Sequence, residues 1–207
     1  MINIKQKRPL CLASSSPRRK MFLEKYNLHF ESHSPNIQET PKPKEKAKNF
    51  VKRMASEKAQ YVMKKFYNRP KDIVVLAGDT IVSIDTQILG KPLNSNEAKK
   101  MLRLLSNKKH KVFSGFSISD FKTGKVITDV ISTEVKFQKL DKNIIEWYVE
   151  TGEPFGKAGS YSIQGLGSIL IEYISGSYNN VVGFPIEYIF PYLKKNGCII
   201  FGVKKKL

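Results

Sequence analysis

Apolar positions along this chain change period several times, and each change marks an element. Pro9-Leu10-Cys11-Leu12-Ala13 is a short apolar run bounded by Ser14-Ser15-Ser16-Pro17. It predicts a buried strand, a turn, and a helix starting near Pro17. Serine before a proline at the first helical position is a start signal, because proline gives up an N–H that had no partner there. Phe22, Leu23 and Tyr26 mark the buried side of that helix. After prolines at 35, 41 and 43, the residues Ala47, Phe50, Val51, Met54, Ala55, Ala59, Val62, Met63 and Phe66 keep helical spacing. They predict a helix from about Lys44 to Phe66 with one apolar stripe. Lys58 falls near the middle of that stripe, whereas Lys48 and Lys65 lie near its ends, where their stems reach water.

Ile73-Val74-Val75-Leu76-Ala77 reads as a strand buried on both faces. Asn94-Ser95-Asn96-Glu97 resembles a capping box opening a helix, with Ala98, Met101, Leu102 and Leu105 inward. Strands are expected near 111–119 and 125–137, joined by a turn around Thr123-Gly124. A helix follows from about Asp141 to Gly152, then a glycine-rich strand region over about 160–175, a helix near 185–195 and a last strand near Ile199. Helices and strands alternate irregularly, with no repeat and no linker. The pattern predicts an α/β fold with a mixed β-sheet and flanking helices, 1–207 forming a single domain.

Composition narrows the class of function. No apolar run approaches the roughly 20 residues that span a bilayer, and the basic N-terminus is not followed by a signal-peptide core. Cys11 and Cys198 make neither a disulfide framework nor a zinc pattern, which points to a reducing, cytoplasmic setting. His29, His33 and His110 do not cluster and are assigned no metal. Thirty-six Lys and Arg against eighteen Asp and Glu give a formal net charge of +18. Such a field favours anionic partners, nucleotides or nucleic acid among them, although lysines on solvated faces account for much of it. The tail Lys204-Lys205-Lys206-Leu207 reads as solvated.

Four stretches carry candidate chemistry. In Ser14-Ser15-Ser16-Pro17-Arg18-Arg19, helix-start N–H groups, hydroxyls and guanidiniums suit phosphate oxygens, and the same residues suit an ordinary capped helix. Asp79 interrupts the apolar run Leu76-Ala77-Gly78-Asp79-Thr80-Ile81-Val82. A buried carboxylate needs a cation, a metal or hydrogen bonds, and backbone amides at a strand end would also serve. Lys91, in Leu89-Gly90-Lys91-Pro92, follows a hairpin that could bring it back toward Asp79, or it is a surface turn lysine. Gly152 to Gly165 is dense in glycine and holds Lys157 and Gln164, the latter a donor and acceptor suited to a base edge.

Taken together, Leu12-Ala13-Ser14-Ser15-Ser16-Pro17-Arg18-Arg19, Gly78-Asp79-Thr80, Leu89-Gly90-Lys91-Pro92, Lys157-Ala158-Gly159, Ile163-Gln164-Gly165, Gly176-Ser177-Tyr178 and Val181-Val182-Gly183-Phe184-Pro185 resemble the Maf family. The motifs stand in family order from roughly residue 10 to 195. The resemblance implies an α/β fold like that of the inosine triphosphate pyrophosphatases, two lobes around a deep cleft, and a homodimer. It implies a nucleoside triphosphate pyrophosphatase that cleans the nucleotide pool with Mg²⁺ or Mn²⁺. It places the catalytic acid on Asp79 and further site positions on Ser14, Arg19, Glu39, Lys58, Lys91 and Lys157. Arg18, Thr80 and Gln164 are similar to the branch acting on dTTP and UTP, where they would read the base. Some positions depart from the family pattern: Gly78 stands for alanine, Asn107 for glycine and Gly156 for aspartate, and the loop 35–39 keeps Glu39 but lacks two other acids.

The expected reaction is attack of water on the α-phosphorus with pyrophosphate leaving. Glu39 and Asp79 would hold the metal, and neither nucleic acid nor membrane is required. The alternative is a non-catalytic basic nucleic-acid-binding or cell-division regulatory protein that uses the +18 charge.

Overall fold

The two long strands at the heart of the sheet, β4 (Val74–Ile84) and β6 (Lys109–Asp120), pair antiparallel from Val74↔Asp120 to Ser83↔Lys111. They are seen in a computed structural model that describes residues 3–66 and 72–202. The lysine-rich tail over 204–206 lies outside the described residues. β7 (Val126–Phe137) continues the antiparallel order and β8 (Ile171–Ser175) closes that edge. On the other side β2 (Leu10–Ala13) runs parallel both to β4 and to β3 (Phe30–Ser32). The seven-stranded sheet has the order β3-β2-β4-β6-β7-β8, with the short β5 (Gln87–Leu89) on β4. The mixed sheet that the irregular alternation predicts is therefore present.

Helices cover both faces. α2 (Ala47–Lys65) lays its stripe on one face, where Val51, Met54, Ala59 and Val62 meet Val75, Ala77 and Ile81. On the other face the sheet runs through two separate cores. α1 (Pro17–Lys25) and α6 (Ile186–Lys195) pack Leu23, Ile189 and Leu193 against Leu12, Val74 and Leu76. Further along the same strands, α3 (Ser95–Leu105) and α4 (Lys142–Glu150) pack Leu102, Leu105 and Tyr148 against Val82, Val112 and Phe137. One sheet thus backs two hydrophobic clusters on this face.

Several boundaries differ from the sequence reading. β4 does not end at Ala77 but continues through Asp79, because β6 offers it a partner along its length. α2 starts at Ala47 rather than Lys44, whose positive φ of 60° no helix accommodates. Ser16 caps α1 by position, yet its side chain makes no capping bond. In the Asn94 box the asparagine accepts from Glu97 N–H, while the Glu97 carboxylate reaches Leu93 N–H, one residue further back than the pattern requires. The expected strand over 160–175 forms only at 171–175. Before it come 3₁₀ turns at Ala158–Ser160, where Gly159 and Ser160 adopt positive φ values of 69° and 63°, and at Leu166–Leu170. β1 (Asn3–Gln6), which pairs with β9 (Ile199–Gly202), and the short α5 (Tyr178–Val182) carry no sequence pattern that announced them.

Candidate active site

The cleft begins where the sheet edge loses a strand. β2 stops at Ala13, opposite Ala77, and β5 takes up the same edge of β4 only at Val82. Between these points residues 78–81 carry no strand neighbour on that side among the described residues, and Asp79 and Thr80 lie on β4 just past the carboxyl end of β2. Ligands of open α/β sheets characteristically bind at such an edge. A cavity of about 210 Å³ lies there. Ser14, Arg18, Arg19, Glu39, Lys58, Asp79, Thr80, Lys91 and Lys157 all line it.

Successive residues of β4 point to opposite faces, so Asp79 turns toward α2 and Thr80 toward α1 and α5. Asp79 is only 7% exposed. Lys58 Nζ donates to its Oδ1 at 2.7 Å and lies 2.8 Å from Glu39 Oε1. The lysine that helical phase places inside an apolar stripe is therefore the counter-charge of the buried acid. Glu39 comes from the loop before α2 and is largely open to solvent, its side chain 42% exposed. Two carboxylates converging on one cation form a hard oxygen donor set. Such a set fits Mg²⁺ or Mn²⁺, which take one or two carboxylates and fill the remaining positions with water and substrate oxygens. Among the described residues no group of three or more His, Cys, Asp or Glu stands together, so the protein's share would be these two.

Arg19 is held on the other side of β4. Its Nε donates to Gly183 carbonyl at 3.0 Å, Nη1 to Ser14 Oγ at 3.2 Å and Nη2 to Thr80 Oγ1 at 3.0 Å. Thr80 Oγ1 also lies 2.8 Å from Ser114 Oγ, which donates to Asn180 carbonyl at 3.0 Å. Asn180, fully buried, is fixed in turn by Val112 carbonyl and Thr133 Oγ1. Gly78 keeps room for the guanidinium, since a β-carbon there would stand 3.1 Å from Arg19 Nε. Burial pulls Arg19 below its ordinary value, and the nearby Asp79 carboxylate opposes that shift. A guanidinium remains charged under such conditions, so the site holds a fixed, partly dehydrated cation.

Arg18 and Lys157 are half-buried and both are lowered by desolvation, Lys157 also by its neighbour Arg18. Lys91 is exposed at the rim. The hairpin β4–β5 does bring Lys91 back to the cleft, and Gly159 N–H donates to Gly90 carbonyl at 3.0 Å, tying the lysine loop to the glycine-rich loop. Gln164 is placed differently from the rest: it is exposed and does not line the cavity, although its neighbours Ser162 and Ile163 do. Sequence reading gave no site role to Tyr161, Val182 and Gly183, which line the cavity, although it placed them in its motifs, and it missed Ser114 and Asn180 beneath Arg19. A buried serine and asparagine leave no periodic trace, because their roles depend on partners far away in the chain.

The chain is similar to several known proteins. The dTTP/UTP pyrophosphatase of Syntrophus aciditrophicus is 40% identical over 193 residues, covering 93% of this chain and 92% of that protein. The dTTP/UTP pyrophosphatase of Halalkalibacterium halodurans is 44% identical over 190 residues, covering 92% and 97%. In fold, the chain is similar to the structure of the Staphylococcus aureus Ham1 protein. That match has a TM-score of 0.52 at 13% identity and covers 91% of this chain and 100% of that one, which bears out the expected fold class. Residues 9–196 match the model of the Maf-like proteins, and the chain belongs to the Maf family.

Proposed function

We propose that this chain hydrolyses dTTP and UTP to the monophosphate and pyrophosphate. The activity is the one named for the relatives at 40% and 44% identity. The observation that carries it here is a buried carboxylate paired with Lys58, in a cleft whose other walls present Arg18, Arg19, Lys91 and Lys157.

Hydrolysis at the α-phosphorus spreads negative charge over phosphoryl oxygens, so cations fixed before the substrate arrives supply most of the acceleration. Arg19 is such a cation. Three of its N–H groups are spent on Ser14, Thr80 and the Gly183 carbonyl, which aims the remainder at the cavity. Lys91 and Lys157 reach the triphosphate from the opposite loops. Asp79 orients the attacking water and accepts its proton, with Lys58 holding the carboxylate in place. Glu39 and Asp79 would hold Mg²⁺ or Mn²⁺, which lowers the pKa of bound water and neutralises phosphate charge. Arg18, Thr80 and Gln164 are the base-reading candidates, and of these Arg18 and Thr80 have direct access to the cavity.

The test is a panel of nucleoside triphosphates with Mg²⁺ or Mn²⁺, assayed for pyrophosphate. Faster release from dTTP and UTP than from purine nucleotides supports the proposal. No release from any nucleotide, alongside steeply salt-dependent binding of DNA or RNA, overturns it in favour of a polyanion-binding surface built on the +18 charge.

A further inference from the structure

Glu153 opens the glycine-rich loop and has no part in the reaction described above, yet both of its carboxylate oxygens are engaged. Oε1 accepts from the Tyr148 hydroxyl at 2.9 Å and from Gly167 N–H at 3.0 Å. Oε2 accepts from Leu166 N–H at 2.9 Å. These amides open the 3₁₀ turn Leu166–Leu170, so the acid caps that turn from across the loop. The Tyr148 hydroxyl in turn accepts from Ser162 N–H at 3.1 Å, and the Glu153 carbonyl accepts from Lys157 Nζ at 2.5 Å.

The loop is folded tightly onto this acid. A β-carbon on Gly165 would collide with the Glu153 carboxylate, and one on Gly167 would collide with the Tyr148 hydroxyl. Glycine at both positions is what lets the backbone close around the carboxylate. Burial alone would raise this carboxyl, but the Gly167 N–H, the Tyr148 hydroxyl and the Leu166 N–H outweigh it and hold it below its ordinary range. The Glu153 carboxylate therefore sits behind the cleft wall, tied to the Ser162 N–H through the Tyr148 hydroxyl and to the turn that follows, while the main-chain carbonyl of the same residue holds a cleft lysine.

We infer that Glu153 is a positioning residue of the nucleotide site, holding the Ser162–Ile163 wall and the Lys157 ammonium in a fixed relation so that substrate meets both preformed. The inference rests on the pyrophosphatase reading. A glycine-rich segment without such an anchor samples many backbone conformers, and ordering it would then be charged to each binding event. Nucleotide affinity, more than the chemical step, is what the anchor sets.

Glu153→Gln tests this, because the amide presents an NH₂ where an oxygen now accepts, opposing either Leu166 N–H or the Gly167 and Tyr148 pair. The expected result is a KM for dTTP raised about tenfold or more, as for a lost charge-assisted contact, with kcat within about threefold. The Kd of a non-hydrolysable dTTP analogue, read by calorimetry, rises by a similar factor. Tyr148→Phe keeps the carboxylate but removes the strut to Ser162, and should raise KM and Kd by a smaller factor. The double variant should be no worse than Glu153→Gln alone, since both act through one chain of contacts. KM and Kd within about twofold of the parent in either folded variant overturn the inference, as does a loss of activity that only tracks the folded fraction. If Glu153→Gln does not fold, Tyr148→Phe decides on the same criterion. A parent protein that binds the analogue but releases no pyrophosphate sinks the functional reading and leaves the Kd comparison to judge Glu153. A parent that neither binds nor hydrolyses sinks both.

Discussion

Asp79 on β4 and Gly115 on β6 stand directly opposite each other across the strand pair, on the face covered by α2. A β-carbon on Gly115 would run into the main-chain carbonyl of Val51. The missing side chain thus brings α2 down onto the sheet, and Lys58, two turns further along that helix, comes within 2.7 Å of Asp79. Gly115→Ala should push the helix away from the strand. The backbone cannot yield as a side-chain tip would, so a loss of about 3 kcal/mol in stability is expected. Pyrophosphatase activity should fall further than the folded fraction does, because the Lys58–Asp79 contact lengthens. Chemical denaturation alongside the activity assay checks this, and an unchanged denaturation midpoint would exclude the close approach.

The Lys58–Asp79 pair itself separates stability from chemistry. Lys58→Met leaves a carboxylate that is only 7% exposed without its counter-charge. The cost should be about 3 kcal/mol, toward the lower end for a broken buried pair, because the site opens to water on the Glu39 side. Adding Asp79→Leu removes the stranded charge and should return stability to within about 1 kcal/mol of the parent while hydrolysis stays absent. Asp79→Asn, which keeps shape and an acceptor for Lys58, should fold normally and show no turnover. Near-normal hydrolysis by that variant would remove Asp79 from the mechanism.

Much of this site is legible in the chain, and the reasons divide cleanly. Lys58 shows itself because helical phase is a local property, and a lysine in the middle of an apolar stripe violates it. Asp79 shows itself because a charge in a β-rich apolar run is costly wherever the run ends. What the chain conceals depends on pairing. That β4 continues through Asp79 follows from β6, some 35 positions away, and the gap at 78–81 exists only because β2 stops early and β5 starts late. The stretch 160–175 misleads for a related reason. Its β-branched and aromatic content favours a strand, but Glu153 captures the Leu166 and Gly167 amides and winds the chain into a 3₁₀ turn instead. Gln164, placed on the base side by resemblance, turns outward in that same turn-rich segment while Ser162 and Ile163 face the cavity.

His110 gives the fold a pH dependence that can be read in isolation. Its ring is buried between Phe137 and Tyr161, and Nε2 lies 2.8 Å from the Tyr161 hydroxyl. Burial holds its pKa down to about 4 from an ordinary 6.5. Between those values the unfolded chain binds a proton that the folded chain refuses, so stability falls as pH falls through the window and is fully present above it. The total effect is about 3 kcal/mol. Carboxylates held low, such as Glu45 beside Arg53 at about 2, begin to contribute only below their ordinary 4.5. Urea midpoints measured from pH 6.5 to 4.5 should slope downward in the parent and flatten in His110→Gln. Equal slopes in the two proteins would mean the imidazole already protonates in the folded state.

At the far end of the central strands Arg8 forms a buried fork with Asp120, Nη1 to Oδ2 at 2.9 Å and Nη2 to Oδ1 at 2.7 Å, while Nε reaches Asp72 at 2.6 Å. Asp120 also accepts from Lys122 and Thr123 N–H, and Arg8 Nη1 lies 3.5 Å from Cys198 Sγ. One guanidinium therefore joins the approach to β2, the β6–β7 turn and the start of β9. Asp120 pairs with Val74, five residues before Asp79, a distance of about 16 Å along the strand. The fork should thus matter to folding and not to turnover. Arg8→Met strands a carboxylate whose side chain is 0% exposed, and should cost about 3–5 kcal/mol. For a chain of this size that lowers Tm by roughly 10 °C or more. At a temperature where the variant is fully folded, its kcat and KM should match those of the parent. A variant that loses activity while still folded would show that this end of the sheet is coupled to the cleft, and Arg8 would then have to be counted among the residues that shape it.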